Sequence, residues 1–194
     1  MKNLFLKTLL LSAILMLSAC NKAHQRAFRK FRQIEEMKKY GLVFRLQDYK
    51  QRINYFEKKG MTDRARLEQS KIEQTNRNLV EYFQKEFNFC PVRFYYASQQ
   101  NELKAGKPVL LNNEMEPDTS IPLPDKVILA NFGIGKVVDN TFQSEAFRVE
   151  GTSIRIRPIR TTWWHDEPMQ LEDVRRVNQV LNKRMNQGVE WSNL

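Results

Sequence analysis

Apolar residues recur along this chain with three different spacings. Near the start they form a run from Leu9 to Leu17, broken only by Ser12. From there to Phe87 they return every three or four residues, and beyond Asn88 they alternate or cluster in short runs. The first of the periodic segments, Ala23 to Tyr40, carries Phe28, Phe31 and Ile34 among Arg26, Arg29, Lys30, Arg32, Lys38 and Lys39, and predicts a basic amphipathic helix. Gly41 interrupts it. Leu42, Leu46, Tyr49, Ile53 and Phe56 follow at spacings of four, three, four and three, which predicts a second helix with a narrow apolar seam. Gly60 ends it, and Thr62 or Asp63 caps a third helix running from Asp63 to Phe87. Its middle is polar, and Leu79, Phe83 and Phe87 make its C-terminal half apolar, so a helical hairpin that projects from the domain or meets a partner is expected.

At Asn88 the period changes. Cys90 to Ala97 is rich in aromatic and branched residues and predicts a strand, with Pro91 tolerated at its first position. Val109 to Leu111 is a brief strand, and Asn112 to Pro124, broken by Pro117, Pro122 and Pro124, is a loop. Lys126 to Phe132 predicts the strongest strand, folded back through Gly133-Ile134-Gly135 into Lys136-Val137-Val138. Ala146 to Val149 and Ser153 to Arg157 flank Glu150-Gly151-Thr152 as a hairpin, with Ile154 and Ile156 on one face and Arg155 and Arg157 on the other. Leu171, Val174, Val177, Leu181 and Met185 give a closing amphipathic helix that starts near Pro168 and stops at Gly188. The expected fold is α+β: an N-terminal helical hairpin, then a small, mainly antiparallel sheet with a C-terminal helix packed on it.

The first apolar run has its own meaning. Lys2 and Lys7 precede it, and Leu17-Ser18-Ala19-Cys20 follows. A basic start, a short apolar core and small residues form the layout of a secretory signal peptide, too short to span a bilayer. A cysteine closing it is the feature that resembles the bacterial lipoprotein class, whose lipobox reads Leu-small-small-Cys. The resemblance covers only about a tenth of the chain. It implies that Cys20 is lipidated on its thiol, that the chain is cut before it, and that the new amine is acylated, palmitate being a typical acyl group. It also implies a cell-envelope location. In Gram-negative sorting an aspartate after the cysteine retains a lipoprotein in the inner membrane; Asn21 stands there, so by analogy the outer membrane, facing the periplasm, is expected. A Gram-positive surface lipoprotein is the other placement. The resulting organisation is a signal peptide over 1–19, a lipidated tether over 20–24, a helical region over 25–88 and an α+β domain over 89–194.

Charge and cysteine content refine this. The chain of 194 residues has a net charge of +10 at neutral pH; its first nineteen residues hold two lysines and no acid, so the mature 175 residues carry +8. In an envelope such a surface meets anionic head groups and acidic polymers. Nucleic acid is not an expected partner for an exported lipoprotein. The basic helix beside the anchor has two readings, as core against the next helix or as a membrane-surface helix gaining about 1 kcal/mol per basic side chain. With Cys20 lipidated, Cys90 is the only thiol left, so no internal disulfide is expected. The seam from Leu42 to Phe56 allows a dimer as well as an intramolecular hairpin.

Candidate chemistry is sparse. Cys90 and His165 are the one conceivable thiol–imidazole pair, since His24 lies in the tether, and an envelope enzyme built on them is the alternative to a binding protein. The simpler reading of Cys90 is a buried small hydrophobe. His165-Asp166-Glu167 point to alternate sides, and Glu114, Glu116 and Asp118 lack the glycine turn and closing glutamate of a calcium loop, so no metal or other cofactor is expected. Gly133-Ile134-Gly135-Lys136 is too short for a phosphate-binding glycine loop. The remaining constellation is Arg155, Arg157 and Arg160 close to Trp163 and Trp164, a patch suited to carboxylate, phosphate or sugar. The expected function is therefore a membrane-anchored, non-enzymatic binding or accessory protein for an envelope protein or acidic envelope polymer.

Overall fold

The computed structural model describes residues 25, 28–133, 146–152, 154–156 and 169–192. The fold is α+β. A first helix, α1 (28–40), ends where Gly41 donates its N–H to the Met37 carbonyl at 2.8 Å. The chain then enters β1 (Leu42–Leu46), makes the hairpin of α2 (Lys50–Lys58) and α3 (Thr62–Glu86), and returns as β2 (Val92–Tyr96). A 3-10 turn (Ala97–Gln99) and the short α4 (Gln100–Lys104) follow, then β3 (Leu129–Gly133), β4 (Ala146–Val149), β5 (Arg155–Ile156) and α5 (Leu171–Ser192).

The strands form one sheet in the order β2-β1-β3-β4-β5. β3, β4 and β5 make an antiparallel meander, turned between β4 and β5 at Gly151, whose φ is +70°. β1 adds two parallel pairings, to β2 and to β3. The parallel pair β1–β2 is closed by the α2–α3 hairpin, since parallel neighbours need a long crossover.

Residues 42–46 correct the expected second helix, which begins only at Lys50. Leu42, Val43, Phe44 and Leu46 are all buried, because β1 lies mid-sheet and is covered on both faces. A five-residue run apolar on both sides is the pattern of such a strand, and it coincided with helical spacing by way of Tyr49 and Ile53. The seam from Leu42 to Phe56 is accordingly not one helix face. The α2–α3 hairpin itself is present: Arg52 and Arg64 lie over the Phe56 ring at 5.8 and 4.8 Å, and Ala65 is buried.

One sheet face carries the larger core. Ile34 and Met37 from α1, Leu79 and Phe83 from α3, and Val174, Val177 and Leu181 from α5 pack on Leu42, Phe44, Phe94, Ala130 and Phe147. Phe44 is at its centre, with ring centroids 4.8 Å from Phe83 and 6.2 Å from Phe147. The stripe of α1 is thus core at Ile34 and Met37, while Phe28 is 49% exposed. The opposite face carries a smaller cluster, in which Leu103, Val109 and Leu110 cover Val43 and Tyr95. Leu111 pairs with Pro117 in an isolated bridge and donates its N–H to the Phe94 carbonyl at 2.9 Å, so Val109 to Leu111 is extended without being a named strand. Among the described residues no helix is long and apolar enough to cross a membrane.

Candidate functional site

Four strands contain an arginine set between apolar residues: Phe44-Arg45-Leu46, Val92-Arg93-Phe94, Phe147-Arg148-Val149 and Ile154-Arg155-Ile156. Side chains alternate across a strand, so burying the apolar neighbours against the helices sends every arginine to the other face. Register then aligns them. Arg45 is paired with Tyr95, Arg93 with Val43, and Arg148 with Asn131 on one side and Arg155 on the other. All four arginines are half-buried.

A polar network occupies the middle of this face. Arg45 donates from Nη1 to Gln100 Oε1 at 3.3 Å, and Gln100 donates from Nε2 to Glu150 Oε1 at 3.5 Å. Asn131 Nδ2 donates to the same Glu150 oxygen at 3.4 Å, and Lys104 Nζ stands 3.9 Å from Glu150 Oε2. Glu150 is thereby drawn toward β1, β3 and α4. Several donors of the face are left over. Among the described residues, the hydroxyl of Tyr95, a residue 0% exposed, meets no hydrogen-bond partner, and neither do the buried Nε of Arg45 or the buried Nε and Nη2 of Arg148. Burial pushes the Tyr95 phenol up to about 12, with Arg45 opposing and Glu150 reinforcing the shift. Burial also lowers the Arg148 pKa, and the neighbouring charge of Arg155 lowers it further.

Buried polar groups are nearly always satisfied, and a buried charge lacking a counter-charge is expensive. The contrast with Arg175 is direct. Its Nε and Nη2 grip Glu86 at 2.9 and 2.8 Å, holding the Glu86 carboxyl below the usual range. Arg148 presents the same edge of its guanidinium, and among the described residues no carboxylate meets it. The face can therefore accept an anion.

Of the arginine–tryptophan patch expected from the sequence, Arg155 lies on β5 opposite Arg148. Arg157, Arg160, Trp163 and Trp164 lie outside the described residues, as do Cys20, His165 and Lys136 to Val138. Arg45, Arg148, Asn131 and Tyr95 were not anticipated. For the two arginines the signal was the apolar–Arg–apolar tripeptide, read in Ile154 to Ile156 but repeated in three other strands. Cys90 is 8% exposed and packs in the larger core; burial pushes its thiol up to about 12, against a small opposing effect of Lys38. A nucleophilic cysteine needs the reverse, exposure and a lowered pKa. In the acidic loop the Asn112 side-chain oxygen accepts N–H bonds from Glu114 and Glu116, and Asp118 accepts from Ser120, so these residues shape turns.

No family model, curated protein or solved structure matches the chain.

Proposed function

We propose that this protein is a lipid-anchored lipoprotein of the bacterial cell envelope, outer-membrane by analogy, that acts as a non-enzymatic binding or accessory protein for an anionic envelope component. The anchor half of this reading rests on Leu17-Ser18-Ala19-Cys20. Acyl chains contribute roughly 0.8 kcal/mol per buried methylene, and two or more chains on Cys20 make attachment stable. The binding half rests on one observation, the buried unpartnered edge of Arg148 on a sheet face bearing four arginines. The +8 charge of the mature chain favours encounter with acidic surfaces, whose charge is of opposite sign.

The experiment is a crosslinking pull-down from intact cells with wild type, Cys20→Ala and Arg148→Met. Wild type is expected to fractionate with membranes and to capture an envelope component. Cys20→Ala is expected to leave the membrane fraction, and Arg148→Met to stay anchored while losing the captured component. A Cys20→Ala protein that remains membrane-bound sinks the anchor, and undiminished capture by Arg148→Met sinks the binding face.

A further inference from the structure

We infer that the exposed start of α1, formed by Phe28, Arg29, Lys30 and Arg32, docks on the anionic phospholipid surface of the membrane that holds the anchor. The inference deepens the anchor reading proposed above and rests on it for the nearness of that membrane. The charge is set by the sequence. From Asn21 to Ile34 there are five basic residues, Lys22, Arg26, Arg29, Lys30 and Arg32, and no acid; Glu35 is the first. Phe28 stands eight residues after Cys20, and a chain reaches at most about 3.6 Å per residue, so α1 starts within about 29 Å of the anchoring residue.

Packing divides α1 into two halves. Ile34 and Met37 are buried in the larger core, and the charges beside them are engaged within the fold. Glu36 meets Lys126 at 2.7 Å, and Lys38 and Lys39 lie over the rings of Phe89 and Tyr40 at 5.6 and 4.9 Å. The first turn is different. Phe28, Arg29, Lys30 and Arg32 are all exposed, and among the described residues the three cations form no ion pair. Arg32 lies over the Phe28 ring at 5.1 Å, one turn along the side of the helix away from Ile34 and Met37. A ring set among cations suits the head-group region, where the ring enters the acyl boundary and the cations meet phosphates. A soluble acidic polymer offers no apolar layer for Phe28. At about fivefold per cation near an anionic surface, the three together strengthen the contact roughly a hundredfold. The acyl chains hold the protein in the membrane, and α1 holds the domain down against it.

The test uses the full chain purified in detergent, with its mass read first to establish whether Cys20 is acylated. The protein is then mixed with phosphatidylcholine vesicles, with and without phosphatidylglycerol, and hydrogen exchange is followed over residues 28–33. The first amides of a helix lack intrahelical partners and exchange fast unless covered. Exchange is expected to slow on the anionic vesicles and not on the neutral ones. Salt at about 1 M is expected to abolish the slowing by screening, while the acyl chains keep the protein on the vesicles. Arg29→Gln/Lys30→Gln/Arg32→Gln is expected to return to the neutral-vesicle rate, and Arg29→Lys/Arg32→Lys to keep the slowing, because charge is what the surface reads. Phe28→Ala is expected to weaken it. Lys58→Gln/Lys59→Gln/Lys71→Gln, which removes three exposed lysines from the α2–α3 hairpin, is expected to leave it unchanged. All these positions are exposed, and melting temperatures equal to wild type show that the variants fold.

Equal exchange on the two kinds of vesicle overturns the docking, as does slowing that survives the triple glutamine substitution in α1. An equal loss in the hairpin variant overturns it too, by showing that net charge and not α1 is responsible. Soluble polyglutamate is added in place of vesicles as a last arm, and equal slowing there assigns the patch to an acidic polymer and overturns the membrane as its occupant. The two readings fail separately. If Cys20 is acylated and exchange does not slow, the docking falls and the anchor stands; if Cys20 is unmodified and exchange still slows on anionic vesicles, the anchor falls and the docking face stands.

Discussion

Gly188 on α5 packs closely against the ring of Phe31 on α1. A Cβ at Gly188 would overlap the Cγ, Cδ2 and Cε2 atoms of that ring. The sequence suggested that Gly188 ends the last helix, yet α5 continues through it to Ser192. The glycine is there for closeness and not for termination. Gly188→Ala therefore carries two opposed effects. Alanine improves helix propensity by about 1 kcal/mol, but overpacking at a fixed contact costs about 1–3 kcal/mol. The expected result in urea denaturation is a net loss of stability. In a Phe31→Ala background the overlap is gone, and the same substitution should become stabilising. A double-mutant cycle measures this change of sign.

A second glycine joins α1 to the sheet. Gly41 has φ +81°, and a Cβ there would come 2.7 Å from the Pro91 carbonyl oxygen, the same oxygen that accepts the Leu42 N–H at 2.9 Å. Gly41→Ala pays for the left-handed backbone, about 1–2 kcal/mol, and also pushes β1 away from the chain entering β2. Gly60 also has a positive φ, +70°, but nothing lies within 4 Å of its Cβ position. Thermal unfolding should show Gly41→Ala losing clearly more stability than Gly60→Ala.

These glycines mark where the sequence was legible and where it was not. Local signals located α1, α3, β2, the β4–β5 hairpin and α5, because each rests on a period or a turn within its own segment. β1 was missed because its partners are distant: Leu42 pairs with Val92, and Val43 with Leu129. No local pattern announces a parallel strand buried on both faces. The arginine face was half legible for a related reason. Alternation tells which side Arg155 takes, but only register brings Arg148 opposite it. Gly188 was misread because a helix stop and a helix–helix contact call for the same residue.

The polar middle of α3 has a structural explanation at Asn76, which is 4% exposed and donates from Nδ2 to the Gln47 carbonyl at 2.7 Å. It secures the stretch between β1 and α2 against α3. Asn76→Ala should cost about 1–3 kcal/mol, because the carbonyl loses its partner within the fold. Gln74, exposed and bonded to Asn78 one turn on along the same helix, provides the contrast. Gln74→Ala should change the urea midpoint little, since such pairs contribute only about 0.2–0.5 kcal/mol and alanine's helix propensity offsets part of that loss. Comparable losses from both substitutions would mean that Asn76 does not hold this connection.

The alkaline limit of stability follows from Cys90 and Tyr95. Burial raises the thiol from 9.0 to about 12 and the phenol from 10.0 to about 12. Both groups are neutral when protonated, and the unfolded chain releases these protons at lower pH than the folded one. Their contribution is thus fully present below pH 9 and is lost as the pH rises from there toward 12. The slope approaches about 1.4 kcal/mol per pH unit for each group titrating in the unfolded state only. Melting temperature should therefore fall steeply above pH 9. Cys90→Ala removes one of the two titrations and should flatten the decline between pH 9 and 10, at the cost of a lower melting temperature near neutrality from the vacated core volume. Tyr95→Phe keeps the ring in place and removes the unpartnered hydroxyl, so it should flatten the decline above pH 10 with little loss at neutral pH. An alkaline slope identical in wild type and both variants would locate the titration elsewhere in the chain.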